Sequence, residues 1–165
     1  MTWDQSGVVP RFENEYHFLS NFHINPFTWR NVVFPTGEHA FQAAKGFHIK
    51  DSYINDITDH IDLVLKQPTP GKAKYVGKSA KIERAEWDLR RISYMREIVH
   101  ARFSTSEREM VGQLIDTGAM MLVEGNDWDD EYWGRCLKNG KWVGLNTLGV
   151  ILMEERGFWL RGNND

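Results

Sequence analysis

The sequence is poor in cysteine, in long apolar runs and in excess positive charge, and each shortage removes a class of protein. A single cysteine, Cys136, stands among 165 residues, so no internal disulfide can form and the fold must rest on its own core. That usage fits a reducing compartment, and a cytoplasmic location is the expectation. No stretch approaches the roughly 20 apolar residues of a membrane span. Met1 to Pro10 lacks a basic start followed by an apolar segment, so neither a signal peptide nor a membrane partner is expected. Lys and Arg total 20 against 23 Asp and Glu, a formal net charge of -3. The field of the whole protein therefore does not draw polyanions, and any nucleotide or nucleic acid must be held by a local site. Several catalytic signatures are missing: Gly-x-Gly-x-x-Gly, the P-loop, His-Glu-x-x-His, paired cysteines and Gly-x-Ser-x-Gly. The six His are scattered without ligand spacing, so no metal and no cofactor are expected.

Hydrophobic residues at 41% and charged residues at 26% are ordinary for a soluble globular protein. The length predicts one domain, 1–165, large enough to bury a core without staples. Seven Trp are many for this length. Each serves either packing or stacking on a flat ring such as a nucleobase.

Patterning predicts a helix-rich α+β chain. Val8–Val9, Phe18–Phe22 and Phe27–Phe34 read as short extended pieces, the last turning at Trp29-Arg30-Asn31. Thr36 caps a helix over 37–48, with Ala40, Phe41 and Ala44 on the 3.6 period. Helical character returns around Tyr53–Ile57. Thr69-Pro70 opens the Gly- and Lys-rich segment 71–80. The clearest helix covers 84–103, with Trp87, Tyr94, Ile98 and Ala101 near one stripe and Met95 and Val99 beside it. Ser106 and Glu109 form a capping box for a helix that Gly118 ends. Met120–Val123 reads as a buried strand. Asn139-Gly140 marks a hairpin between Cys136–Leu137 and Trp142–Val143. A last helix covers 146–156, with Leu148, Ile151, Leu152 and Glu155 on one face and Gly157 as its stop.

Four groups carry possible chemistry. Glu38, Gln42 and Lys45 are spaced i, i+4, i+7, which sets an acid, an amide and an amine on one helical stripe over about 10 Å. That length suits three contacts along one ligand better than a single ion pair; a solvated helix face is the bland alternative. The segment from Glu124 to Gly134 crowds five carboxylates with Trp128 and Trp133 in a loop after a strand. Carboxylates forced together have their pKa values driven apart, which makes an acid and a base from like groups. The segment lacks the register of a calcium loop. Gly144 to Gly149 places Asn146 as a cap whose helix amides can receive a phosphate or sugar oxygen. Lys72, Lys74, Lys78 and Lys81, with Gly71 and Gly77, form either a local diphosphate clamp or a solvated lysine face.

In order and spacing these pieces resemble the NADAR/YbiA-like family. The matching residues are Phe18-Leu-Ser-Asn-Phe22, Glu38-His-Ala-Phe-Gln-Ala-Ala-Lys45, Gly71-Lys-Ala-Lys74 with Gly77, Trp87, Met95 and Arg102-Phe103. They continue through Leu114-Ile-Asp-Thr-Gly118, Leu122-Val-Glu124, Asp130-Glu-Tyr-Trp-Gly134, Gly144-Leu-Asn-Thr-Leu-Gly149, Ile151-Leu-Met153 and Arg156. Each motif alone is weak, and the joint order is specific. The resemblance implies a compact helix-rich α+β domain with small antiparallel strands, the YbiA-like fold, and an N-glycosidase needing no cofactor. It implies Glu38, Lys45 and Asp130 as catalytic residues. It adds Trp133 as a functional position, and the full set of candidate substrate contacts is Ser20, Asn21, Gln42, Lys74, Trp87, Glu124, Trp133, Gly134, Asn146 and Gly149. One branch of the family acts on early riboflavin-pathway intermediates carrying a ribosylamino phosphate. Another removes ADP-ribose from guanine and is associated with ADP-ribosylation systems and phages. The stretch Gly125–Asp129 departs from the shorter riboflavin-type pattern and favours the second branch. The expected partner is an ADP-ribosyl or phosphoribosyl small molecule, with ADP-ribosylated DNA as a further one.

Breaking a ribosyl C–N bond builds positive charge at the anomeric carbon and needs a proton for the departing base. Glu38 or Asp130 can hold the water while the other acts as acid. Lys45 either binds phosphate or attacks as an amine. A binding module that reads ADP-ribose without turnover is the alternative from another class.

Overall fold

The computed structural model describes residues 7–50, 54–105 and 108–162. The chain divides into two units, one of Met1–Ser20 with Glu107–Asp165 and one of Asn21–Ser106.

The second unit begins with a hairpin. Strands β2 (Phe27–Trp29) and β3 (Val32–Phe34) pair antiparallel, Trp29 opposite Val32. Arg30 and Asn31 both take positive φ, 50° and 63°, the geometry of a two-residue turn matched to strand twist. Four helices follow: α1 (Gly37–Ala44), α2 (Ile54–Leu65), α3 (Pro70–Lys78) and α4 (Arg84–Thr105). Thr36 caps α1, its Oγ1 accepting from the His39 amide at 3.2 Å. Thr69 caps α3, accepting from the Lys72 amide with Pro70 in the first turn. The α-helical part of the segment after Thr36 stops at Ala44, and Lys45–His48 tightens into a 3-10 helix. The helix expected around Tyr53–Ile57 is longer than its sequence signal, reaching Leu65; Tyr53 lies outside the described residues. Along α4, Trp87, Tyr94, Met95, Ile98 and Val99 are buried as their period demands. Arg102 joins them with no exposure at all. Its Nη1 donates to Asn21 Oδ1 at 3.1 Å, since a buried guanidinium must find acceptors.

In the first unit β1 (Val8–Val9) pairs parallel with β4 (Met121–Leu122). Strand β5 (Gly125–Asn126) pairs parallel with β6 (Arg135–Lys138), and β6 pairs antiparallel with β7 (Lys141–Val143). The small antiparallel strands expected are β2–β3 and β6–β7, and the two-residue ladders β1–β4 and β5–β6 add parallel pairings. The β6–β7 turn is Asn139-Gly140, both with positive φ. Phe18–Phe22, expected to be extended, is instead divided: a 3-10 helix runs Asn14–Leu19 and ends at Ser20. Adjacent buried Phe18 and Leu19 carry no period that separates the two conformations. Helix α5 (Arg108–Asp116) ends near Gly118, whose φ is 56°; Ser106 of the expected capping box lies outside the described residues. Helix α6 (Thr147–Gly162) passes through Gly157, which was expected to stop it. A mid-helix glycine costs about 1 kcal/mol, and neighbouring contacts offset it. Arg156 donates to Thr117 Oγ1 at 2.8 Å and to the Met120 carbonyl at 2.9 Å, and Trp159 Nε1 donates to Glu155 at 2.6 Å. Among the described residues no helix is long and apolar enough to cross a membrane.

Two glycines in helices separate packing from propensity. A Cβ on Gly149 of α6 would collide with the Leu122 carbonyl oxygen and the Asn146 amide, whereas a Cβ on Gly112 of α5 meets nothing within 4 Å. Gly149→Ala should destabilise the protein by about 1–3 kcal/mol through overpacking. Gly112→Ala should stabilise it by about 0.5–1 kcal/mol through helix propensity. Thermal unfolding of the two variants should move Tm in opposite directions, and equal shifts would contradict this placement of the helices.

Candidate active site

Helix α1 is buried on every side, Gly37 through Ala44, packed by α2, α3 and α4. The Glu38–Gln42–Lys45 stripe is thus no solvated face. Glu38 is 6% exposed and Gln42 4%, and such burial of polar groups has to be compensated by hydrogen bonds. Gln42 Nε2 donates to Glu38 Oε1 at 2.7 Å. The Glu38 amide donates to the Asn21 carbonyl at 2.9 Å, and the first turn of a helix favours a carboxylate. His60 Nε2 donates to the Gln42 carbonyl at 3.0 Å, and burial holds the His60 pKa below its ordinary value. Gly77 of α3 faces the Gln42 amide so closely that a Cβ there would collide with it.

Lys45 donates from Nζ to the Gly77 carbonyl at 3.1 Å and lies 5.7 Å from the Trp87 ring centroid. Its pKa is lowered to about 8. Burial is the main cause; the positive charges of Arg84, Lys78 and Lys74 add to it and the Glu38 carboxylate opposes it. The lysine-rich segment therefore acts on the site electrostatically: Lys74 and Lys78 lie within reach of Lys45, while Lys72 and Lys81 are exposed.

Trp87 was expected to stack on a base. It is 3% exposed and enclosed by Phe41 at 5.1 Å, Tyr94 at 6.0 Å and His48 at 5.9 Å between ring centroids. It forms the apolar wall behind Lys45 and offers no ring face to a ligand. Asn21 is also buried. Its Oδ1 accepts from Arg102, its Nδ2 donates to Met95 sulfur at 3.3 Å, and its carbonyl holds the Glu38 amide. It positions Glu38, and Arg102 positions it. His39, passed over in the sequence, ties α1 to the chain after α2, accepting the Thr36 hydroxyl at Nδ1 and donating from Nε2 to the Gln67 carbonyl.

In the other unit the acidic loop is neutralised piece by piece. Arg11 makes two bonds to Asp127 at 3.0 and 2.5 Å, and Lys138 bridges Asp129 and Glu131. The expected mutual repulsion of carboxylates is thus replaced by ion pairs, and among the described residues no cluster of His, Cys, Asp and Glu has metal-ligand grouping. Asp130 Oδ1 accepts from the amides of Tyr132 and Trp133 at 3.2 and 2.9 Å. Asn126, which the sequence reading left unmarked, knits this loop: Oδ1 accepts from the Asp130 amide, and Nδ2 donates to the Asp130 carbonyl, both at 2.9 Å.

Trp133 is half-buried, edge-on to Tyr132 at 5.0 Å. The amides of Thr147 and Leu148 donate to the carbonyls of Tyr132 and Trp133 at 3.2 and 3.0 Å. These amides open α6, so the anion seat expected there is corrected: protein carbonyls already fill it. Asn146, at φ 55°, does not cap α6 with its side chain. Its Oδ1 accepts from the Glu124 amide and its Nδ2 donates to the Leu122 carbonyl. Gly134 and Gly149 are buried where a Cβ would strike the carbonyls of Glu124 and Leu122. These three residues set backbone positions around Glu124 and Trp133. Ser20 closes the 3-10 helix, its amide donating to the His17 carbonyl.

With this geometry in view, comparison with known proteins is decisive about class. The NADAR domain model matches residues 9–158. An N-glycosidase of Nostoc punctiforme is 35% identical over 142 residues, covering 86% of this chain and 84% of that protein. Escherichia coli N-glycosidase YbiA is 31% identical over 144 residues, covering 87% of this chain and 81% of its own length. The NMR structure of E. coli YbiA superposes with a TM-score of 0.75 and 26% identity, over 96% of this chain and 89% of that one. A maize riboflavin biosynthesis protein, PYRR, is 29% identical over 94% of this chain, which spans 24% of that longer protein. The class is an enzyme that hydrolyses N-glycosidic bonds. The chain belongs to the NADAR family, and its fold is the YbiA fold.

The depressed Lys45 pKa has a consequence for stability. Below about 8 the amine is protonated both folded and unfolded, and its burial penalty is present in full. Between about 8 and the ordinary value of 10.5 the unfolded chain binds more protons, so stability rises with pH. Denaturant unfolding across this range should show wild-type protein gaining stability relative to Lys45→Met. A constant difference would mean that Lys45 titrates normally.

Proposed function

We propose that the chain hydrolyses the ribosyl C–N bond joining ADP-ribose to guanine, in DNA or as a nucleoside adduct. The observation that carries the reading is Lys45: an amine with a pKa of about 8, on the same buried stripe as Glu38. At pH 7 about a tenth of such an amine is neutral, against well under a thousandth of an ordinary lysine. The neutral amine attacks the anomeric carbon. The C–N electron pair leaves with the base, which takes up the proton that the attacking amine gives off, and we assign the relay of that proton to the Glu38 carboxylate. Opening of the ribose ring then gives an imine on Lys45, and water hydrolyses it to the free sugar and the regenerated amine. The family resemblance adds Asp130 as a residue whose charge turnover is expected to need. Three cations within electrostatic reach of Lys45, namely Arg84, Lys78 and Lys74, suit a diphosphate more than a single phosphate. A second reading, cleavage of a phosphoribosylamino intermediate of riboflavin synthesis, is favoured by the maize relative.

The test offers purified protein both substrates and follows products by mass spectrometry, with borohydride added during turnover. Release of guanine, with a reduced adduct mapped to Lys45, supports the proposal; turnover of the riboflavin intermediates alone moves the chain to the second reading. Lys45→Arg keeps the charge but is never neutral, so it should lose the adduct and at least about 100-fold in rate. Substantial activity in Lys45→Arg would make the lysine a phosphate anchor. Glu38→Gln should lower kcat by about 100-fold or more at unchanged far-UV circular dichroism. Asp130→Asn keeps the oxygen that accepts from Tyr132 and Trp133, so it reports on charge and should also lose turnover. Near-normal rates in both carboxylate variants would sink the mechanism.

A further inference from the structure

A ribosyl C–N hydrolase needs a surface to hold a flat heterocycle while its bond breaks, and Trp87 is enclosed in the core. We propose that Phe22 is the stacking surface for the substrate's heterocycle, with Lys74 beside it taking the phosphate charge of the same ligand. The proposal rests on the N-glycosidase reading and names a residue that the reading itself leaves open.

Three observations meet at Phe22. Its ring is 38% exposed, whereas Phe41 and Trp87, the rings around Lys45, are 6% and 3% exposed. Its backbone is fixed to the reacting helix. The preceding residue, Asn21, is held through its side chain by Arg102 and Met95, and its carbonyl receives the Glu38 amide. A Cβ on Gly37 would strike the Asn21 side chain, which shows how tightly this loop seats on the start of α1. Phe22 is therefore an exposed ring on a rigid support, one residue from the anchor of Glu38. The Lys74 ammonium lies 6.0 Å from its centroid, and that charge is also felt at Lys45. Along α3, Lys74 precedes by three residues Gly77, the glycine that meets Gln42 and Lys45. The ring thus stands one residue from the anchor of Glu38, while the Lys74 charge reaches Lys45 at the other end of the acid–amide–amine row. The ammonium stands over the ring, so a heterocycle that takes this face turns it outward, to where a phosphate one ribose away from the heterocycle would lie. Stacking on an aromatic ring is tolerant of base identity, so the same surface serves a purine or a pyrimidine.

The test compares binding of guanosine 5′-monophosphate and ribose 5-phosphate, which carries an anomeric hydroxyl in place of the heterocycle, by calorimetry on the full chain, with borohydride trapping to score any imine that the free sugar forms on Lys45. Wild-type protein should bind the nucleotide more tightly. Phe22→Leu should weaken nucleotide binding by about ten-fold and leave ribose 5-phosphate unchanged, the loss expected of one base–ring stack. Phe22→Tyr, which restores a ring, should bind both as wild type does. Lys74→Gln should weaken both ligands. The proposal is overturned if wild-type protein shows no preference, if Phe22→Leu binds the nucleotide normally, or if it weakens both ligands equally. Turnover reports separately on the reaction: a wild-type enzyme that cleaves its glycoside while Phe22→Leu keeps full nucleotide affinity loses the stacking surface alone. Failure of the wild type to cleave either glycoside sinks the reaction and leaves the nucleotide comparison to be read on its own.

Discussion

Burying a carboxylate, an amide and an amine along one helix imposes the constraint around which residues 21–105 are arranged. Each polar group left without a partner in a buried setting costs about 1–3 kcal/mol, so α1 draws contacts from its neighbours, although Gln42 Oε1 stays buried without one. Gln42 answers Glu38, the Gly77 carbonyl answers Lys45, and the Asn21 carbonyl answers the Glu38 amide. Gly77 stands in the last turn of α3 because the Gln42 amide occupies the space of a side chain. Arg102, the largest side chain with no exposure, is in turn accounted for by its bond to Asn21. The same burial that makes these partners obligatory lowers the Lys45 pKa. Structure and reactivity thus share one cause.

The loop of Asp130 follows a different logic. Here the carboxylates are exposed or half-exposed, and they are held by cations from elsewhere in the unit, Arg11 and Lys138. Exposed pairs of this kind contribute about 0–1 kcal/mol each, so they orient the loop more than they stabilise the protein. Rigidity comes from the buried Asn126 amide and from the docking of the Tyr132 and Trp133 carbonyls on the start of α6. That docking explains why Asp130-Glu-Tyr-Trp-Gly134 and Gly144-Leu-Asn-Thr-Leu-Gly149 occur together in one chain: each uses up the backbone groups of the other.

Much of this was legible in the sequence where a local rule has one outcome. Thr36 and Thr69 as caps, the Asn139-Gly140 turn and the stripe of α4 follow from short-range chemistry, as does the common face of Glu38, Gln42 and Lys45. The failures are of two kinds. Adjacent apolar residues at Phe18–Leu19 carry no period, and Gly157 stops a helix only if tertiary contacts let it. Burial was the other missing quantity. A polar stripe on α1 looks the same in sequence whether water or α3 covers it, Trp87 reads equally as platform or wall, and the first amides of α6 look open until the carbonyls of Tyr132 and Trp133 are placed against them. The i+4 step from Ile98 to Arg102 was the one available sign that a cation lies in the core, and Asn126 gave no sign at all.

The central claim is that Glu38 on α1 and Lys45 at the start of the following 3-10 helix form one electrostatic unit, burial pushing the amine toward neutrality while the carboxylate restrains it. Titration of the Lys45 amine by NMR in wild-type protein and in Glu38→Gln measures this directly. The account predicts a midpoint near 8 in the wild type and a lower one once the carboxylate charge is gone. An unchanged or higher midpoint in Glu38→Gln would contradict it.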